Sequence, residues 1–112
     1  MSLEELNASI DSIVADVWMI EPEKLRLKTK MRYIVEPRQA AIWLRITIFG
    51  CKQKQVADYY GQTHPTIYHA IKTVPRITQT DRIFRDRLNL VMQKAELVKK
   101  IYFDGKCNRI YS

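Results

Sequence analysis

Ile67, Ala70, Ile71 and Val74 stand at i, i+3, i+4 and i+7. That spacing gives a helix one buried stripe. At about 100° per residue it turns Pro65, His69, Lys72 and Arg76 outward, with Thr66 and Tyr68 on the flanks. Thr63 is a good N-cap, expected to accept from a backbone N–H of the first turn. Pro65 then sits where its missing N–H costs nothing, so the helix starts at His64; Pro75 is expected to end it. Just upstream, KQKQVADYY at 52–60 reads as a short helix closed by Gly61. Two short helices joined by a tight glycine-containing turn, here Gly61-Gln62-Thr63, form a helix-turn-helix pattern.

The rest of the chain is also helical in pattern. Leu3, Leu6, Ile10, Ile13, Val14 and Val17 recur at helical spacing, and Ser2 with Glu5 has the form of a capping box. Pro22 is expected to end this helix and open a short second one, EPEKLRLK. KTKMRYI has no clear periodicity and reads as an exposed basic arm. Glu36-Pro37 then opens a helix carrying Ala40, Ala41, Leu44 and Ile48, with Gly50 as its stop. AIWLRITIF is rich in β-branched residues, but the proline start, glycine stop and length favour helix over strand. Thr80-Asp81 caps a last long helix with Phe84, Leu88, Val91, Ala95 and Val98 at helical spacing. In the tail, Asp104-Gly105 is a type I′ hairpin signal, and equally Gly105 reads as a helix cap.

The expectation is therefore one all-α domain over 1–112. Lead-in helices occupy 1–27, a basic arm or loop 28–36, and the helix-turn-helix region 37–76. A C-terminal helix occupies 79–101 and a tail 102–112, with a short hairpin as one reading of that tail. A hydrophobic share of 46% is enough to build its core.

Charge is unevenly placed. Residues 1–21 carry five acids and no Lys or Arg; residues 22–76 carry eleven Lys/Arg against three acids, and residues 77–112 eight against four. The excess positive charge starts at Lys24 and is densest at Lys28, Lys30 and Arg32, which suggests a polyanion. A solvated basic surface is the plainer reading. Cys51 and Cys107 are too few for a disulfide framework or a zinc site. His64 and His69 lie about 140° apart on a helix and cannot share a metal as an i, i+4 pair could. No apolar run approaches the ~20 residues of a membrane span, and the acidic start, MSLEEL, is no signal peptide. The expectation is a reduced, cytoplasmic protein. No nucleophile–base pair, metal cluster or paired carboxylates stand at telling spacing, so neither enzyme activity nor a cofactor is expected.

KTKMRYIVEPRQAAIWL and VADYYGQTHPTIYHA, at their observed separation, resemble the C-terminal DNA-binding domain, domain IV, of the bacterial replication initiator DnaA. The first resembles that family's basic stretch and "PRQ-A-L" helix, the second its signature "IG-F-GGRDHTTV-HA". IDSIVADVWMIEPEKL resembles its lead-in helix, and the likeness covers about residues 9–92. The resemblance implies a Trp-repressor-like helix-turn-helix and double-stranded DNA as partner. It places His64, Pro65 and Thr66 where the family contacts the major groove, with Thr63 at the position of a base-contacting aspartate. Lys30 takes the position of an arginine that enters the minor groove, with Lys28 and Arg32 beside it. Arg38-Gln39 takes a position against the DNA backbone. His69, outward on the stripe, reads equally as a base contact or as a bridge between turn and core. Lys52, Lys54, Gln62 and Lys72 are phosphate candidates, each little different from an ordinary surface residue.

There are departures. GQTH is one residue shorter than GGRDH, Arg-Asp becomes Gln62-Thr63, the first hydroxyl becomes Pro65, and Glu36 stands where the family is often basic. Altered base contacts on a retained scaffold imply a different recognised sequence, with phosphate contacts still supplying affinity. No G-x-x-x-x-G-K-[ST] loop occurs in the sequence. The resemblance is thus to a relative without the ATPase module, either stand-alone or a fragment; Met1 before a capped helix favours a natural start. The implied setting is a bacterial or phage-encoded, nucleoid-associated protein acting in replication initiation or its control. A transcriptional regulator, or a helical adaptor using the acidic first helix or the aromatic tail to hold another protein, is the alternative.

Overall fold

The computed structural model describes residues 1–111, with side chains described through Asp104. Among the described residues there are six α-helices and no strand, so the fold is all-α. Helix α1, Leu3–Trp18, starts at the capping box: Glu5 N–H donates to Ser2 Oγ (3.1 Å) and Ser2 N–H to Glu5 Oε1 (3.3 Å). It buries Leu6, Ile10, Val14 and Trp18. Met19 stops it in a left-handed conformation (φ 59°), three residues before Pro22. Pro22 instead opens a single 3-10 turn, Pro22–Arg26.

Helix α2, Arg32–Trp43, departs from expectation: it begins five residues before Pro37, so the arm is shorter than 28–36. Burial explains the early start, because Ile34, Arg38, Ala41 and Ile42 are buried at i, i+4, i+7 and i+8. Glu36 is therefore no helix opener. Its carboxylate accepts from Trp18 Nε1 (3.3 Å) and pairs with Arg32 (3.5 Å). The helix widens into one π turn, Leu44–Ile48, before Gly50 reverses the chain at φ 66°.

Helix α3, Gln53–Tyr60, and helix α4, His64–Thr80, follow. Pro75 does not end α4. It is exposed, so the hydrogen bond it forgoes falls on the wet side, while buried Val74 and half-buried Ile77 hold the inner side. Asp81 caps helix α5, Arg82–Lys94, accepting from Phe84 N–H (3.1 Å). Phe84 meets Trp18 edge-on at 5.7 Å, joining α5 to α1. The expected single C-terminal helix breaks at Ala95, and helix α6, Glu96–Tyr111, continues through Asp104-Gly105. The hairpin does not form. An isolated hairpin is marginal, whereas the helix lays the Tyr102 and Phe103 rings on Phe49 at 5.9 and 6.3 Å.

A buried polar cluster binds α1 to the helix-turn-helix. The Asp11 carboxylate accepts from Tyr59 (2.6 Å) and Tyr60 (2.5 Å). Fully buried Arg45 stacks its guanidinium on both rings, 5.2 and 5.8 Å from their centroids. Burial raises Asp11 above the usual 3.8, against the opposing pull of the tyrosines, Arg45 and Arg26. Burial, then Asp11, pushes Tyr59 up to about 12 and Tyr60 well above its ordinary value, so both phenols remain donors.

Tyr60→Phe should cost about 1.5–3 kcal/mol in urea unfolding, the worth of a hydrogen bond to a charged group. A carboxyl whose pKa is higher folded than unfolded stabilises below the unfolded value, and that stability is lost as pH rises through the folded value. The stability of the wild type relative to Asp11→Asn should therefore fall as pH rises above 3.8 and then level. A pH-independent difference would refute that coupling.

Candidate nucleic-acid interface

The turn between α3 and α4 is set by Gly61. It takes φ 62°, a region that favours glycine, and Gln62 N–H donates back to Ala57 O at 2.9 Å, closing the end of α3. Gln62 Nε2 also donates to Tyr60 O (3.2 Å). Thr63 is the N-cap of α4, but its hydroxyl does not accept from the backbone as expected. It pairs with the Thr66 hydroxyl at 3.0 Å. Pro65 has no N–H to offer, and the two threonines satisfy each other across it.

Thr63, His64, Pro65, Thr66, His69 and Lys72 are all exposed, while Ile67, Ala70 and Val74 are buried. Helix α4 thus has the buried and outer sides that its spacing requires. His69 Nε2 lies 3.2 Å from the Thr73 hydroxyl one turn on. Tyr68, absent from the sequence-based candidates, is exposed with Lys72 Nζ 4.7 Å over its ring.

The basic segment 28–31 is shaped by short-range bonds. Thr29 N–H donates to Leu27 O (3.0 Å), and Met31 N–H to Thr29 Oγ1 (3.2 Å). Lys28, Thr29 and Lys30 share a shallow concavity with Arg38, Gly61 and Gln62. A Cβ at Gly61 would lie 3.9 Å from Lys28 Cε. The arm and the recognition turn therefore meet in one concavity, with its cations supplied by the arm and α2. Arg32 is exposed in the first turn of α2.

Arg38 is a correction. It is 5% exposed, its Nε donates to Leu25 O (2.8 Å), and a terminal nitrogen donates to Leu27 O. Its guanidinium is spent on the chain that leads into the arm and is not free for a phosphate. The signal was in the sequence, since Arg38 falls on the Ile34–Ala41 stripe. Gln39 is half-buried in a separate cleft with Arg32, Val35, Glu36, Ile77, Thr80 and Asp81. It does not share the concavity of Lys28 and Gln62. Lys52, the cap residue of α3, and Lys54 in its first turn are exposed. Among the described residues no three His, Cys, Asp or Glu side chains converge as metal ligands, and no helix is long and apolar enough to cross a membrane.

Residues 8–74 match the family described as "Bacterial dnaA protein helix-turn-helix". The chain is 28% identical over 89 residues to the chromosomal replication initiator protein DnaA of Flavobacterium psychrophilum, covering 79% of this chain and 19% of that protein. It is 30% identical over 91 residues to the DnaA of Dechloromonas aromatica, covering 78% and 20%. With DnaA 1 of Protochlamydia amoebophila the identity is 29% over 83 residues, covering 74% and 18%. The chain thus spans about a fifth of the length of the curated relatives it matches.

Replacing Arg38 by Met keeps its stem but leaves two carbonyls without a donor. Loss of buried charge-assisted bonds predicts a cost of roughly 2–4 kcal/mol in urea unfolding. Amide exchange at 27–31 should speed up more than exchange in α5.

Proposed function

The chain belongs to the bacterial DnaA helix-turn-helix family, and on that premise we propose that it is a sequence-specific double-stranded DNA-binding protein acting in replication initiation or its control. The tip of α4 enters the major groove, where Thr63, His64, Pro65 and Thr66 meet base edges. Lys28, Lys30 and Arg32 follow the adjacent minor groove, and Lys52, Lys54, Gln62 and Lys72 meet phosphates. His69 stands one turn behind the tip on the same face. The observation that carries this reading is the contact between arm and turn, which sets the cations of the arm beside the start of the recognition helix. A single helix-turn-helix commonly gains its tight binding from a second surface or a dimer; the arm supplies the second surface.

The relatives are named as replication initiators, which supports that setting here. In this reading the chain recognises DNA and transforms nothing. It works at the nucleoid, encoded by a bacterium or a phage. The exposed acidic face of α1, where Glu4 stands free beside Glu5 of the capping box and Asp16 pairs with Lys94 at 2.7 Å, does not suit phosphate and is left open to a protein partner. Pro65 offers an apolar surface where a hydroxyl would offer hydrogen bonds, and the turn is one residue shorter than the family signature. The preferred site should therefore differ from the usual initiator box.

Selection from a random duplex pool should enrich a defined motif, and a pool without enrichment would contradict sequence specificity. Six cationic contacts predict a log–log salt slope of roughly −5. Lys30→Ala should weaken binding on every sequence and make that slope shallower by about 1. His64→Ala should cost about 1–3 kcal/mol of discrimination between selected and random duplexes, with a smaller loss on random DNA. Anisotropy titrations read all three, and equal losses for His64→Ala on both duplexes would remove it as a reader.

A further inference from the structure

The arm is not merely basic. Leu27, Met31 and Tyr33 are 50%, 56% and 50% exposed, and they alternate with Lys28, Lys30 and Arg32 inside seven residues. Leaving three large apolar side chains in water at one place is costly, and grouped exposure of this kind marks a contact surface. Helix α2 begins at Arg32, and Met31 is its N-cap with no side-chain cap bond. The side chain of Met31 thus stands at the head of a helix between two cations. It is held from behind: Met31 N–H is bound to Thr29 Oγ1, and Leu27 O to the buried Arg38. A free strand could not press on anything, whereas this tip is tied back to α2 through Arg38.

We propose that Met31 is a wedge that enters a base step of duplex DNA from the minor groove, partly unstacks it and bends the duplex. This rests on the DNA-binding reading above and adds to it a residue and a deformation. Charge complementarity names the occupant, since Lys28, Lys30 and Arg32 draw the same tip toward phosphates. Minor-groove binders commonly drive an apolar residue between base steps, trading a few kcal/mol of stacking for a bent duplex that touches more protein. Methionine suits the role through its unbranched, adaptable side chain. Specificity would then arise also from how easily a step is opened, with pyrimidine–purine steps favoured.

The test uses the full chain and the duplex most enriched by selection. 2-Aminopurine is scanned along the duplex, and a donor–acceptor dye pair on its ends reports bending. Anisotropy on the same samples reports binding. Wild type should raise 2-aminopurine fluorescence several-fold at one step under the arm and bring the ends closer. Met31→Ala should lose most of both signals while circular dichroism stays unchanged and the duplex remains bound. Lys30→Ala should weaken binding yet still show the fluorescence rise at saturating protein. Binding by wild type with no fluorescence rise at any position, or signals unchanged in Met31→Ala, would overturn the wedge and leave DNA binding intact. No binding by wild type at low salt would overturn both.

Discussion

The bonds from buried Arg38 to the carbonyls of Leu25 and Leu27 set the relation between the two halves of the candidate interface. Residues 27–31 belong to no helix. Left to local preference, so short a basic stretch would sample many conformations, and ordering each residue costs about 1–2 kcal/mol. Helix α2 removes much of that freedom by holding the entry to the arm from below. A guanidinium suits this task because its fixed fork reaches two acceptors at once and stays charged; an ammonium is a point charge. Lys28 then lies against Gly61, in the turn that precedes the recognition helix.

Arg45, in the π turn that follows α2, has a related role. Both arginines lie on the stripe that begins at Ile34, and each spends its charge inside the protein. Arg38 positions the arm. Arg45 stacks on Tyr59 and Tyr60, whose hydroxyls hold Asp11 of α1. The helix-turn-helix is therefore fastened at its first helix by a polar cluster and at its second by the apolar contacts of Ile67, Ala70 and Val74. Burying each of those larger aliphatic side chains contributes about 1.5–3 kcal/mol. A reading helix held on two sides can meet a groove with little reorganisation.

The features of this architecture that follow periodicity were legible in the sequence. The stripe of α4, the capping box at Ser2 and the stop at Gly61 follow from local chemistry and stand where the residues put them. The misplaced start of α2 and end of α4 came from giving proline too much weight, and the C-terminal boundaries from reading Asp104-Gly105 as a stop and passing over the break at Ala95. Pro37 and Pro75 lie inside helices because neighbouring apolar residues, Ile34 before one and Ile77 after the other, have a core to reach. Arg38 was misread for a different reason. Charge suggested a phosphate contact while position on the stripe suggested burial, and position prevailed because two backbone carbonyls were near enough to satisfy the guanidinium. Asp11 and Arg45 also lie on buried stripes, and only their tertiary partners reveal why charges are tolerated there. The meeting of arm and turn could not be read from spacing, since 33 positions separate Lys28 from Gly61. Tyr68 was already placed on the flank of the outward face by the stripe, and its exposure agrees with that, whereas the exposed apolar members of the arm were passed over because a stretch without periodicity does not say which side chains face water.

If arm and recognition helix act as one surface, both must meet the same duplex in a single event. Backbone amide chemical shifts, followed by NMR while the selected duplex is titrated in, test this most directly. Residues 28–32 and 62–69 are predicted to shift together, along one binding curve, while the outer side of α1 stays unchanged. Shifts confined to only one of the two segments, or centred on α1 or α6, would contradict it.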